Sequence, residues 1–197
     1  VLNDISHTAV GELLTATADA LYNLGATQRP IDLFTTELAR LEAKYGTRHP
    51  NTWSTLHNLA AATAAAARRI PDAQRRLPLY EKAIALYQEL IAFYADAHRR
   101  QPSRRLPDTR LALAWIWDQL GASSNARDLA NPAASELSTL LGPEHPDTLA
   151  ARGNLAVWRG EAGDAAAAFT ELLPILERVR GPEHPDTLIT RNNLAAW

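Results

Sequence analysis

Apolar side chains recur along this chain at three- and four-residue spacing, the period that puts them on one face of an α-helix. Gly residues and His-Pro or Gly-Pro pairs punctuate the runs, so the pattern predicts helices joined by short connectors. Residues 3–24 form the first predicted helix, with Leu13, Leu14, Ala18, Leu21 and Leu24 on one broad face. Gly25 suits a left-handed cap at its end. Pro30 opens a second helix in its first turn, where a missing N–H costs nothing. Ile31, Phe34, Leu38, Leu41 and Tyr45 give this helix its core stripe, and Gly46 closes it. A third helix opens at His49-Pro50 and runs through Trp53, Leu56, Leu59 and an alanine-rich stretch to about Arg69.

A long helix is predicted next, from about Pro78 to Arg100, and it carries two adjacent apolar seams. Leu79, Ala83, Leu86, Leu90, Phe93 and Ala97 form one; Tyr80, Ile84, Tyr87, Ile91 and Tyr94 form the other. An interior helix of a stack must pack on two sides, which accounts for both. The alternative is a protruding docking or dimer face carried by Tyr80, Tyr87 and Tyr94, since an unpartnered protrusion exposes a sizeable apolar patch. From Pro107 a further helix carries Leu111, Ala114, Trp115, Trp117 and Leu120, and Gly121 to Asn125 make its turn. Pro132 and Pro174 fall inside the second helices of the last two hairpins and are expected to kink or shorten them. Gly163-Asp164 is the expected turn of the fourth hairpin, whose core is Phe169, Leu172, Leu173, Leu176 and Val179. A last helix begins at Pro185 and is cut at Trp197, inside what should be a helix. With Val1 in place of an initiator Met, this reads as a fragment of a longer protein.

The punctuation repeats. LGPEHPDTLAARGNLAVW at 141–158 returns as RGPEHPDTLITRNNLAAW at 180–197, an offset of 39 residues that maps Pro146 to Pro185 and Asn154 to Asn193. Pro107-Asp108-Thr109 lies another 39 residues upstream. Gly46 to Thr52, followed by His57-Asn58-Leu59-Ala60, is a fourth copy. From Pro50 to Pro107 the distance is 57 residues, an excess of 18 over 39, or five turns at 3.6 residues per turn. An insertion of that size keeps the buried face, so the second hairpin is expected to be taller than the others. Fixed-period self-similarity of this kind outranks length as a guide to architecture and indicates a solenoid.

Composition narrows the function. The net charge is -2, which gives no global field for nucleic acid or an anionic membrane. There is no Cys, hence no disulfide framework and no thiol chemistry, consistent with a cytoplasmic protein. No apolar run is long enough for a membrane span, and there is no signal peptide. Basic charge is almost wholly Arg and Ala is abundant, a bias that points to a bacterial source. No Gly-rich phosphate loop, HExxH or GxSxG motif is present, and Ser and His are scattered. No catalytic residue, no enzyme activity and no cofactor are therefore expected. His49, His145 and His184 invite a metal reading. They sit one per repeat, however, and a metal needs its nitrogen ligands at about 2 Å, so no metal is expected. Arg68, Arg69, Arg75 and Arg76, and then Arg99, Arg100, Arg104 and Arg105, form local basic clusters, read first as solvated helix ends and otherwise as a site for an acidic protein partner.

The unit HPDTL-x(4)-NLA-x(6)-G resembles the tetratricopeptide repeat (TPR), specifically the type found in kinesin light chains and in bacterial tandem arrays. The two copies over 142–197 carry the likeness most strongly, and Trp115 departs from it where the motif has Asn. The resemblance implies an all-α fold, a right-handed TPR-like solenoid of antiparallel helix hairpins. The expected units are 3–46, 47–103 with the lengthened hairpin, 104–142, 143–181 and a partial 182–197. First helices would line the concave face. The resemblance places Asn58, Asn154 and Asn193 in that groove, where an amide can pair with both the C=O and the N–H of a peptide backbone. Neighbouring groove positions add His57, Trp115, Asp118 and Asn192. Trp115 is an aromatic anchor or a core residue, and the asparagines bind peptide or brace the scaffold. Ser54, Leu111, Ala150 and Ile189 stand where a basic clamp for carboxylate tails would be, so that ligand class is not expected. The implied function is a non-catalytic module that binds a protein or peptide, with no nucleic acid and no membrane, inside a larger bacterial regulatory or signalling protein. The alternative is a structural spacer that self-associates into a homo-oligomer through the tall hairpin and the open end at Trp197.

Overall fold

The computed structural model describes residues 16, 17, 20, 21, 25–159 and 162–196. Among the described residues there are eight helices and no strand. They are α1 (Gln28–Tyr45), α2 (Pro50–Arg68), α3 (Ala73–Arg100), α4 (Arg105–Gln119), α5 (Ser123–Leu141), α6 (Pro146–Trp158), α7 (Ala162–Arg180) and α8 (Pro185–Ala196). Most of the helix expected over residues 3–24 lies outside the described residues, as does Trp197. Ala16, Thr17, Ala20 and Leu21 are helical. No described helix is long and apolar enough to cross a membrane.

The chain divides into two compact units, Val1–Ala92 and Phe93–Trp197. In the first, α1 packs on α2. Ile31 and Phe34 of α1 meet Leu59, Ala62 and Ala66 of α2, and Leu79 and Leu86 of α3 pack against the same cluster. Alanines on α2 let the helix axes approach closely. In the hairpin expected to be taller, α2 has 19 residues against 13 in α6, and α3 has 28 against 19 in α7. Its second helix starts earlier than the sequence suggests, at Ala73 rather than Pro78. The Asp72 carboxylate accepts from the backbone N–H of Gln74 (2.8 Å) and Arg75 (3.2 Å), so orphan donors of the first turn are satisfied there. Pro78 then falls on an exposed position inside the helix.

Tyr80, Tyr87 and Tyr94 do not form a docking face. They are 2%, 3% and 6% exposed, so their rings are turned into the packed side of the helix. Burial pushes the Tyr87 hydroxyl up to about 12. In the unfolded chain a phenol ionises near 10, so the neutral ring favours the fold. That contribution is intact below pH ~10 and is lost as pH rises through ~12, in total about 2–3 kcal/mol. Urea midpoints of the wild type should therefore drop more steeply than those of Tyr87→Phe between these pH values. Superimposable profiles would rule the effect out.

In the second unit α4 packs on α5, α5 on α6, α6 on α7 and α7 on α8. One buried cluster joins Ala114, Ala126, Ala130, Ala134, Leu137, Ala151, Leu155 and Trp158, with Trp115 and Trp117 half-buried against it. α5 runs through Pro132 and α7 through Pro174, so neither proline ends its helix. Gly163 and Asp164 lie in the first turn of α7, not in the turn before it, since α7 begins at Ala162.

The repeated connector has one construction. Gly46, Gly142 and Gly181 follow their helices with φ of 84°, 100° and 94°, and ψ is 168° at Gly46 and 155° at Gly142, a region essentially restricted to glycine. Each connector histidine then caps the next helix. Nδ1 of His49, His145 and His184 accepts from the backbone N–H of Asn51, Asp147 and Asp186, each at 3.2 Å. The Thr52 and Thr187 hydroxyls donate back to the carbonyls of Gly46 (2.9 Å) and Gly181 (2.8 Å). In the copy between them Thr148 Oγ1 is buried without a partner among the described residues. The histidines are thus caps at three separate helix starts. Pro107 has no such histidine before it; α4 starts two residues earlier, and Thr109 donates to the Arg105 carbonyl at 2.6 Å.

Candidate functional site: a groove between first helices

Equal spacing puts equivalent residues of α6 and α8 side by side. Asn154 and Asn193, 39 positions apart, line one cavity of about 210 Å³ in the second unit. Leu149, Phe169 and Leu176 are its buried apolar lining, at 1%, 1% and 2% exposure. Val157 and Ile189 are the large exposed apolar groups of the groove, at 41% and 57%. Gly153, beside Asn154, adds no side chain to the lining. Among the described residues Asp186 is the one charged lining residue, and its carboxylate lies 3.6 Å from Arg180 and 3.7 Å from His184. The lining offers two amides, the Thr190 hydroxyl, one carboxylate and aliphatic surface, which suits binding.

The structure brings two of the seven expected groove residues together. Asn58 is half-buried on α2, in the first unit, and is not without a partner. His57 is held edge-on to the Tyr87 ring, centroids 5.8 Å apart, so its place is against the core of that unit. Trp115 packs against the alanine-rich cluster and is half-buried. Asp118 accepts from the Gln119 amide at 3.4 Å. Asn192 is exposed on α8 but does not line the groove. Sequence reasoning noted Ala150 and Ile189 only for lacking positive charge; both line the groove. The signal available was Ile189 itself, a large aliphatic one turn ahead of Asn193 on a first helix.

The basic clusters differ in their pairing. Arg99 and Arg100 both bind the Asp96 carboxylate, which the Arg99 hydrogen bond in particular holds below its usual range. Arg104 bridges Asp108 (2.9 Å) and Asp147 (3.0 Å), tying the start of α4 to the start of α6. Arg110 of α4 and Glu136 of α5 form a half-buried ion pair inside the third hairpin. Among the described residues no group of three His, Cys, Asp or Glu could hold a metal ion.

No family model matches the chain, and no curated protein matches it. Solved structures do. A protein of Podosopora anserina with nearly identical TPR-like repeats, assigned as a kinesin light chain, superposes with a TM-score of 0.76 at 20% identity, covering 94% of this chain and 83% of that one. BtubC (BKLC) from P. vanneervenii gives 0.74 at 20% identity, over 98% of this chain and 73% of that one. A thermophilic TPR protein from Thermus thermophilus gives 0.57 at 20% identity, over 94% and 80%. What the chain shares with all three, along nearly its whole length, is the fold of TPR-like helix hairpins.

Proposed function

We propose that this chain is a non-catalytic protein-binding scaffold module that takes an extended peptide in the groove between α6 and α8. The observation that carries the reading is the pairing of Asn154 with Asn193 in one cavity beside the exposed Val157 and Ile189. Two amides at matched positions can hold a backbone irrespective of sequence, and the aliphatic groups select side chains. Proteins with TPR-like repeats serve generally as interaction scaffolds, which agrees with this use. A place in a bacterial, cytoplasmic regulatory or signalling protein is part of the same proposal and rests on the repeat type alone.

A peptide-display screen on the whole chain tests the reading, followed by affinity measurements on an enriched peptide with Asn154→Ala/Asn193→Ala. Each lost hydrogen bond is worth about 0.5–1.5 kcal/mol, so the double variant should bind roughly 5- to 150-fold more weakly at unchanged helicity. Asn58→Ala, in the first unit, reports separately whether the ligand engages that helix as well. No enrichment, or equal affinity for wild type and double variant, removes the groove as the working surface.

A further inference from the structure

The tall hairpin ends in a tip that the groove does not use. Arg68 closes α2, Arg69 lies in the turn after it, and Arg75 and Arg76 stand in the first turn of α3. Asp72 is the one acid in this stretch, and its Oδ1 accepts from the backbone N–H of Gln74 and of Arg75. Among the described residues no ion pair involves Arg75 or Arg76. The contrast is with Arg99, Arg100 and Arg104, whose positive charge is matched by Asp96, Asp108 and Asp147. Leu77, 43% exposed, adjoins the tip arginines, and Pro71 and Pro78 are exposed beside it.

We infer that the α2–α3 tip docks an acidic segment of another protein, one that carries a few Asp or Glu residues next to an aliphatic side chain. Guanidinium groups bind carboxylates through paired, charge-assisted hydrogen bonds, and Arg75 and Arg76 are complementary to a carboxylate-rich strand. Charge from both helices converges here. Burial raises the Tyr80 hydroxyl, while Arg76 of α3 and Arg68 of α2 both pull it back. Leu77 gives the acidic segment an apolar neighbour to cover. The tip is the end of a single hairpin, too small to follow a phosphate backbone, and a net charge of -2 supplies no wider field for nucleic acid or a bilayer. This inference lies in the first unit and does not depend on the groove reading.

Fluorescence anisotropy of a short fluorescein-labelled Glu/Leu peptide against the full chain provides the test, with a Gln/Leu peptide and phosphatidylserine vesicles run in parallel. Binding should be saturable at low salt and largely lost at ~0.5 M salt, where the screening length is about 4 Å. Arg75→Glu/Arg76→Glu should weaken it about tenfold, and Arg75→Gln/Arg76→Gln by a smaller factor. New acids in the first turn of α3 favour the helix, so these variants should keep their helicity. Arg99→Glu/Arg100→Glu and Asn154→Ala/Asn193→Ala should leave the affinity unchanged. Absence of peptide binding overturns the inference. So does equal loss in the Arg99/Arg100 variant, equal binding of the Gln/Leu peptide, or binding to vesicles without binding to the peptide.

Discussion

Phe169→Ala is expected to cost about 3–5 kcal/mol, the largest single loss anticipated for this chain. The ring is 1% exposed and joins α6, α7 and α8 through Ala156, Ala165 and Leu194. Its removal leaves a cavity whose nearest buried neighbours are the small side chains of Ala156 and Ala165, too short to fill the space. In a repeat array each unit draws its stability from its neighbours, so damage of this kind is local. Amide exchange should therefore accelerate in α6, α7 and α8 while protection in α1 and α2 persists. Uniform acceleration across all eight helices would contradict a nearest-neighbour architecture. The same ring lines the groove, so a captured peptide should be released by this variant through loss of the scaffold rather than loss of a contact.

Gly142→Ala should destabilise by about 1–3 kcal/mol, whereas Gly153→Ala, eleven residues later, should stabilise by up to ~1 kcal/mol. The two sites differ in backbone, not in space. A Cβ at Gly142 meets nothing within 4 Å, so the whole penalty comes from forcing an L-residue to φ 100°, ψ 155°. Gly153 is in ordinary helical conformation inside α6, and its added Cβ would sit 3.7 Å from Leu172 Cδ2, normal van der Waals contact. There the substitution only removes the entropy cost of glycine in a helix. Urea midpoints of the two variants on opposite sides of the wild type are the expected outcome. A shared sign would show that connector geometry does not set the stability of the hairpin junction.

The repeat marks made the architecture readable. Pro50, Pro146 and Pro185 each stand at the first residue of a helix, and Gly46, Gly142 and Gly181 directly follow one, because fixed φ and positive φ are properties a residue carries with it. The start of α3 was not readable from proline alone. Pro78 looked like an opening, yet Asp72 satisfies first-turn donors earlier, and an exposed proline in the second turn leaves its orphaned carbonyl near water. Pro132 and Pro174 do not end their helices for a related reason: a single missing bond is tolerated in a helix that is buried along its other face. Tyr80, Tyr87 and Tyr94 offered a regular seam, and regularity cannot say whether a seam meets solvent or a neighbouring helix. The groove was half legible. Identical spacing brought Asn154 and Asn193 together, but the contribution of Phe169 and Leu176 depends on how α7 packs behind α6 and α8, which no local pattern records.

The matched connectors bear on how such a chain changes length over generations. Gly142 is followed by Pro143-Glu144-His145-Pro146-Asp147-Thr148, and Gly181 by the same residue types in the same order. If residues 143–181 were excised, Gly142 would be joined to Pro182 and the sequence around the join would read as it does now. His184 would inherit the cap of His145, and the carboxylate of Asp186 would come to the place from which Asp147 meets Arg104. Asn193 would stand where Asn154 does. Unequal exchange between the two copies therefore creates no new junction to be repaired. Whole hairpins can be gained or lost in one event, and each event lengthens or shortens the row of groove amides by one.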